Sequence, residues 1–226
     1  IGAMRHQGFT PWDDDVDVVL PREHYEKLVS IYNNDGRYKL ISMHNNSEYN
    51  LPLANLIDSN TVLIQNYSRK EPVKLGVYID LFVLDAVPAD EKIRKKHLNK
   101  ALRYSMKWGY STMNFHRNGS SFIKDVGRRV RYFLPWMRGG YYYLRKLDEH
   151  AKKYSYEQSD IVGNVFYPSD TKDWYQKKWL EPIPVIFEGY EFIGPTGYDE
   201  CLTQYYGDWR KLPPENERRS GHRYEV

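Results

Sequence analysis

Apolar and polar positions alternate in short blocks over the first ninety residues and then switch to a helical period. Asp15-Val16-Asp17-Val18-Val19-Leu20 is rich in β-branched residues and reads as a strand. Pro21 stands where a helix favours its first residue, and Tyr25, Leu28, Val29 and Tyr32 repeat at helical spacing to about 31–33. Asn33-Asn34-Asp35-Gly36 is a turn, and 38–43 reads as a strand. The stretches 53–57 and 61–65 flank Asp58-Ser59-Asn60 and predict a hairpin. Gly76–Asp85 is apolar on both faces, the pattern of a buried central strand, and Asp80 interrupts it. Residues 91–155 predict helices, with Ile93, His97, Leu98, Leu102 and Met106 striping 92–108 and a second amphipathic stretch at 122–133. The segment 168–179 reads as irregular. A second hairpin is predicted around Glu188-Gly189, then a helix over 198–206 and a closing stretch in which Trp209 and Leu212 demand burial. No repeat, low-complexity tract or linker divides the chain, so its 226 residues predict one catalytic domain over 1–226, with 91–160 a helical basic and aromatic lobe within it.

Composition narrows the class. Hydrophobic residues make up 41% and charged residues 28% of the chain, which fits a soluble globular protein. No run of about 18 apolar residues predicts a membrane span, and the start shows no signal-peptide pattern. The lone Cys201 excludes an internal disulfide framework and a cysteine-based zinc cluster, and it suits a reducing, cytoplasmic setting. The net charge of +3 is unevenly spread: 91–160 holds 17 Lys and Arg against 6 Asp and Glu. Within it, 128–146 interleaves basic residues with Trp and Tyr, which predicts peripheral contact with a membrane, here the inner face of the plasma membrane. An exposed lobe packed on the core would show the same composition. No nucleic-acid motif accompanies the charge, so no nucleic-acid partner is expected.

The chemistry concentrates in Asp13, Asp14, Asp15 and Asp17. Like charges about 4 Å apart repel by roughly 1 kcal/mol in water and several-fold more near a protein surface, so crowding of this kind calls for a cation. A solvated acidic turn is the plainer reading, but it does not require the carboxylates to continue into an apolar strand. An EF-hand fails on the residues: with Asp13 first, its sixth position should be Gly and its twelfth Glu, and here they are Val18 and His24. Alternation on a strand turns Asp15 and Asp17 to one side. A charge at Asp80 is costly unless paired, and sharing a cation with Asp15 and Asp17 meets that cost; an arginine partner would meet it equally. Carboxylate oxygens select hard ions, so Mg²⁺ or Mn²⁺ is expected, the ions that bridge phosphate oxygens. Gly2 near the start would let backbone amides approach a phosphate, and Arg5 and His6 are close enough in sequence to hold a diphosphate.

These residues lie within a longer pattern. Gly2-Ala3-Met4-Arg5-His6-Gln7-Gly8-Phe9-Thr10-Pro11-Trp12-Asp13-Asp14-Asp15-Val16-Asp17 resembles the signature of the LicD/fukutin family of phosphotransferases. The likeness continues through Pro21-Arg22, Tyr25-Glu26 and Tyr78-Ile79-Asp80-Leu81-Phe82-Val83-Leu84-Asp85, and it closes with Tyr206-Gly207-Asp208-Trp209 and Leu212-Pro213-Pro214. The resemblance implies an α+β, nucleotidyltransferase-like fold, a mixed sheet flanked by helices. It implies transfer of a phospho-alcohol, phosphocholine from CDP-choline above all, to a sugar hydroxyl of a lipid-linked polysaccharide, lipopolysaccharide or teichoic acid precursor. Fukutin-like relatives use CDP-ribitol. Residue by residue, Asp15 and Asp17 match the metal-binding pair and Asp80 the third carboxylate. Arg5, His6, Trp12 and Asp14 fall on motif positions expected to contact substrate, and Asp85 or Asp14 is expected to accept a proton. The family pattern also implies that part of the fold precedes residue 1. An Asp-x-Asp glycosyltransferase, a nucleotidyltransferase and a non-catalytic binding module are the competing readings.

Overall fold

A computed structural model describes residues 1–63, 75–112, 122–171 and 173–219. A short helix α1 (Gly2–His6) and an irregular stretch lead into strand β1 (Asp17–Pro21) and helix α2 (Arg22–Ile31). Strands β2 (Tyr38–Ile41), β3 (Ala54–Asp58) and β4 (Tyr78–Ala86) follow, then helices α3 (Glu91–Thr112), α4 (Phe122–Arg138) and α5 (Gly140–Ala151). Strands β5 (Ile161–Gly163), β6 (Trp174–Gln176), β7 (Pro182–Phe187) and β8 (Tyr190–Pro195) precede helix α6 (Tyr198–Tyr206). The result is an α+β fold with a mixed six-stranded sheet and a separate two-stranded β7–β8 hairpin.

β4 is the hub of the main sheet. β1 runs parallel to it, β3 runs antiparallel to it and carries β2 on its far edge, and β5 pairs with its last residues. Alternation along these strands sorts side chains to two faces. Leu81 and Val83 of β4 and Ala54 of β3 join Tyr25 of α2, Leu98 and Ala101 of α3, and Leu144 and Leu147 of α5 in the main core. Those helices cover one face of the sheet. The opposite face carries Asp17, Asn55 and Asp80, together with a smaller cluster of Tyr49, Ile57 and Leu75.

Three expectations are corrected. β3 does not form a hairpin with 61–65: it pairs with β2 and β4, residues 61–63 are irregular, and 64–65 lie outside the described residues. The stretch 168–179 is not wholly irregular, because Trp174–Gln176 adds β6 to the sheet edge and the Arg94 guanidinium stacks 4.2 Å over the Trp174 ring. Trp209 is buried as expected, but Leu212 is 44% exposed.

Candidate active site

The pairing of β1 with β4 builds the acidic face. Asp17 and Asp80 are direct register partners in the parallel ladder, so their side chains leave the sheet on the same side. The Asp80 amide donates to the Val16 carbonyl at 3.0 Å, which extends the contact one residue towards Asp15. Asp13 and Asp14 sit in the turn before it, closed by the Asp13 amide on the Thr10 carbonyl at 2.9 Å. The Asp13 carboxyl lies above the usual carboxylate range, first through desolvation and then through Asp15, which is both a like charge and its hydrogen-bond partner, with Asp14 adding further repulsion.

Asp80 is held from the other side by residues that the sequence did not flag. Asn55 of β3 is its antiparallel register partner and donates from Nδ2 to Asp80 Oδ1. The Tyr49 hydroxyl donates in turn to Asn55 Oδ1. Tyr49 and Asn55 are both fully buried, so this relay is shielded from water and fixes the Asp80 rotamer. The available signal was a single Asn inside the apolar stretch 53–57, since a buried amide needs partners. A third unflagged residue is Tyr206 at the end of α6, whose hydroxyl pKa is raised by partial burial first and then by Tyr205, Asp13 and Asp17.

The N-terminal motif is packed in place. Gly2 approaches the Gly8 carbonyl so closely that a Cβ would lie 2.6 Å from its oxygen, so close packing by itself accounts for glycine there. The Phe9 amide donates to Glu188 Oε1 at 2.9 Å and the Glu188 amide donates to the Gln7 carbonyl at 2.8 Å, clamping the motif to the β7–β8 turn. Arg5 donates from Nη1 to the Trp209 carbonyl at 2.9 Å and ties α1 to the C-terminal segment. His6 meets Trp12 edge-on at 6.2 Å, and the Arg218 guanidinium lies 5.6 Å over the Trp12 ring. Arg5, His6 and Trp12 are thus linked to one another and to the C-terminal segment through Trp209 and Arg218.

Asp85 does not belong to this face. It lies five residues beyond Asp80 on the same strand, and that odd spacing turns it towards the helices. It is 1% exposed and accepts a bidentate pair from Arg22 of α2, at 2.7 Å from Nε and 3.0 Å from Nη2. Arg22 also donates to Asp148 of α5 at 2.9 Å, and His44 and Lys152 reach the second Asp148 oxygen at 3.2 and 2.9 Å. Burial alone would raise Asp148, but these partners outweigh it and hold the carboxyl at about 2. Its exclusion from the site follows from this position: its oxygens are engaged by Arg22 on the far side of the sheet from Asp80.

Among the described residues, no three His, Cys, Asp or Glu side chains are gathered closely enough to hold a metal ion by themselves. The Asp17–Asp80 pair still fits a hard cation, because Mg²⁺ is commonly held by one or two carboxylates together with substrate phosphates.

Residues 1–105 match the family described as LicD/FKTN/FKRP, nucleotidyltransferase domain. The chain is 31% identical over 240 aligned positions to a lipopolysaccharide cholinephosphotransferase LicD of Haemophilus influenzae, an alignment covering 98% of this chain and 83% of that protein. No solved structure matches the chain.

Proposed function

The chain belongs to the LicD/FKTN/FKRP family, and from that premise we propose that it transfers phosphocholine from CDP-choline to a sugar hydroxyl of a cell-surface glycan. Lipopolysaccharide is the favoured acceptor because the Haemophilus influenzae relative is named for it; a teichoic acid precursor offers the same hydroxyl chemistry. The observation that carries the reading is the register of Asp17 against Asp80 on the open face of the sheet, with Asn55 fixing Asp80.

Asp17 and Asp80 are the residues that would hold Mg²⁺ or Mn²⁺, with substrate phosphate completing the shell; Asp15, the third ligand expected from the motif, is not gathered with them into a three-carboxylate cluster among the described residues. Held there, the ion would supply positive charge against the negative charge of the donor diphosphate. Asn55 and Tyr49 keep the Asp80 carboxylate in one orientation. Arg5 supplies positive charge to the departing nucleotide, and Trp12 with His6 forms an aromatic wall for the donor. The acceptor oxygen attacks the phosphorus bearing choline, the bond from that phosphorus to CMP breaks, and CMP leaves with the electron pair. Asp14, or Asp13 next to it, takes the proton of the attacking hydroxyl.

Incubation with CDP-choline, CDP-ribitol, CDP-glycerol, CTP and a UDP-sugar, each with Mg²⁺ and an acceptor sugar, tests the assignment. CMP release from CDP-choline with phosphocholine on the acceptor is the expected result. Release of pyrophosphate from CTP with the nucleotide left on the acceptor would indicate a nucleotidyltransferase, and consumption of the UDP-sugar would indicate an Asp-x-Asp glycosyltransferase. No donor consumption at all would leave a binding module.

A further inference from the structure

Helix α4 is built the wrong way round for a helix that only packs on its own protein. Among its described side chains, the inward ones are Pro135, which is buried, and Tyr132, which stacks on Tyr110 of α3 at 4.1 Å between ring centres. Its outward side is apolar. Val126, Val130, Phe133, Leu134 and Met137 recur at the four- and three-residue steps of one helical stripe, and they are 44, 72, 52, 64 and 62% exposed. An ordinary surface helix shows the reverse arrangement. Trp136, 51% exposed, stacks beside Phe133 at 6.4 Å and flanks the stripe.

Charge identifies what covers the stripe. The α4 sequence itself carries Lys124, Arg128, Arg129, Arg131 and Arg138 against the single acidic residue Asp125. Arg138 is exposed and lies 5.6 Å over the Tyr142 ring at the start of α5, where Tyr141 and Tyr142 are also partly exposed. Further along α5, the Arg145 side chain is 63% exposed. An apolar stripe bordered by Trp, Tyr and arginine is the make-up of a helix that lies in a membrane interface, with its rings at headgroup depth and its cations on anionic lipid. Among the described residues no helix is long and apolar enough to cross a membrane, so the contact is one of lying on the surface.

We propose that the exposed face of α4, continued by the start of α5, docks on the surface of an anionic lipid bilayer. The usefulness of such docking rests on the function proposed above, because a lipid-borne acceptor glycan is found only at that surface. The docking face itself rests on exposure and charge alone.

Vesicle co-sedimentation tests it with the full chain. The probes are vesicles of phosphatidylcholine alone and of phosphatidylcholine with phosphatidylglycerol. Wild-type protein is expected to partition onto the anionic vesicles, with binding weakened by added salt, and to stay in solution with neutral ones. The double substitution Val130→Glu with Leu134→Glu, at two exposed positions, is expected to lower binding at least tenfold while leaving circular dichroism unchanged. It is also expected to leave turnover of CDP-choline with a water-soluble acceptor sugar unchanged. Equal partitioning of wild type and variant would overturn the proposal. So would a wild-type dimer in sedimentation velocity that the variant abolishes without any vesicle binding, since the face would then belong to a second copy. Vesicle binding without CDP-choline turnover would sink the proposed reaction and leave the docking face standing, and the converse result would do the opposite.

Discussion

One strand carries two buried or half-buried aspartates, and they have opposite fates. Asp85 faces the helices and is neutralised within the chain by Arg22, in a network that also takes in Asp148, His44 and Lys152. Asp80 faces the other way, opposite Asp17, and is positioned by an amide and a phenol, Asn55 and Tyr49. In the first region positive side chains are paired with the carboxylates they balance. In the second, the Asp13 carboxyl is raised by desolvation first and then by its neighbours Asp15 and Asp14. A carboxylate buried against its own arginine serves the fold, whereas carboxylates with perturbed pKa on the other face of the sheet mark a candidate site.

The comparison breaks most visibly on activity. Asp17→Asn is expected to lower turnover by about 10³-fold or more, the scale of losing a main electrostatic contact to the reacting group, while chemical denaturation shows stability close to wild type. Asp17 is exposed, so its loss leaves no buried charge behind.

The mirror-image substitution is Asp85→Ala. It leaves Arg22 buried without its bidentate partner and is expected to cost about 3–5 kcal/mol in urea unfolding. The double variant Arg22→Met with Asp85→Leu should recover much of that loss, because two apolar groups replace the pair together. If Asp85→Ala instead abolished turnover at unchanged stability, Asp85 would have to be returned to the reaction.

A third expectation concerns acid. His97 is buried among His150, Tyr154 and α3, its Nε2 has no hydrogen-bond partner among the described residues, and desolvation, then the His150 charge, lower its pKa to about 4. The unfolded chain therefore binds a proton that the folded one refuses between about 6.5 and 4. Stability is fully present above that range and falls as pH drops through it, by on the order of 2 kcal/mol. Asp148, depressed to about 2, adds a second loss as pH falls from its ordinary range towards that value. Melting curves from pH 7 down to about 2 check this, and His97→Leu should flatten the first fall and leave the second.

The strand pairing beneath the candidate site was legible in the sequence, and so was the placement of Asp85 on the opposite face. The alternation in Asp15–Leu20 and the carboxylate of Asp80 inside the apolar run Gly76–Leu84 pointed to facing strands, and the register joins Asp17 to Asp80. The five-residue gap from Asp80 to Asp85 already implied opposite faces, so the misplacement of Asp85 came from reading proximity in sequence as proximity in space. The partners of β3 were not legible, because strand pairing between 38–41, 54–58 and 78–86 is settled by long-range packing, and the turn at 58–60 suggested a local hairpin. β5 and β6 have three residues each, too few for alternation to show. Leu212 was expected inside on hydrophobicity alone, yet single apolar residues are common on surfaces.

The smallest expected effect is that of Tyr49→Phe. It removes only the hydroxyl that donates to Asn55, so a loss of about 1 kcal/mol in stability and a several-fold fall in kcat are expected, with KM for the donor little changed.

The most direct test of the central assignment is a Mn²⁺ titration followed by electron paramagnetic resonance, with and without CDP-choline, on wild type, Asp17→Asn and Asp80→Asn. Wild type should bind one ion or more tightly only when the nucleotide is present, and each variant should weaken that binding at least tenfold. Undiminished nucleotide-dependent binding in both variants would contradict the assignment of Asp17 and Asp80 as the pair that holds the cation.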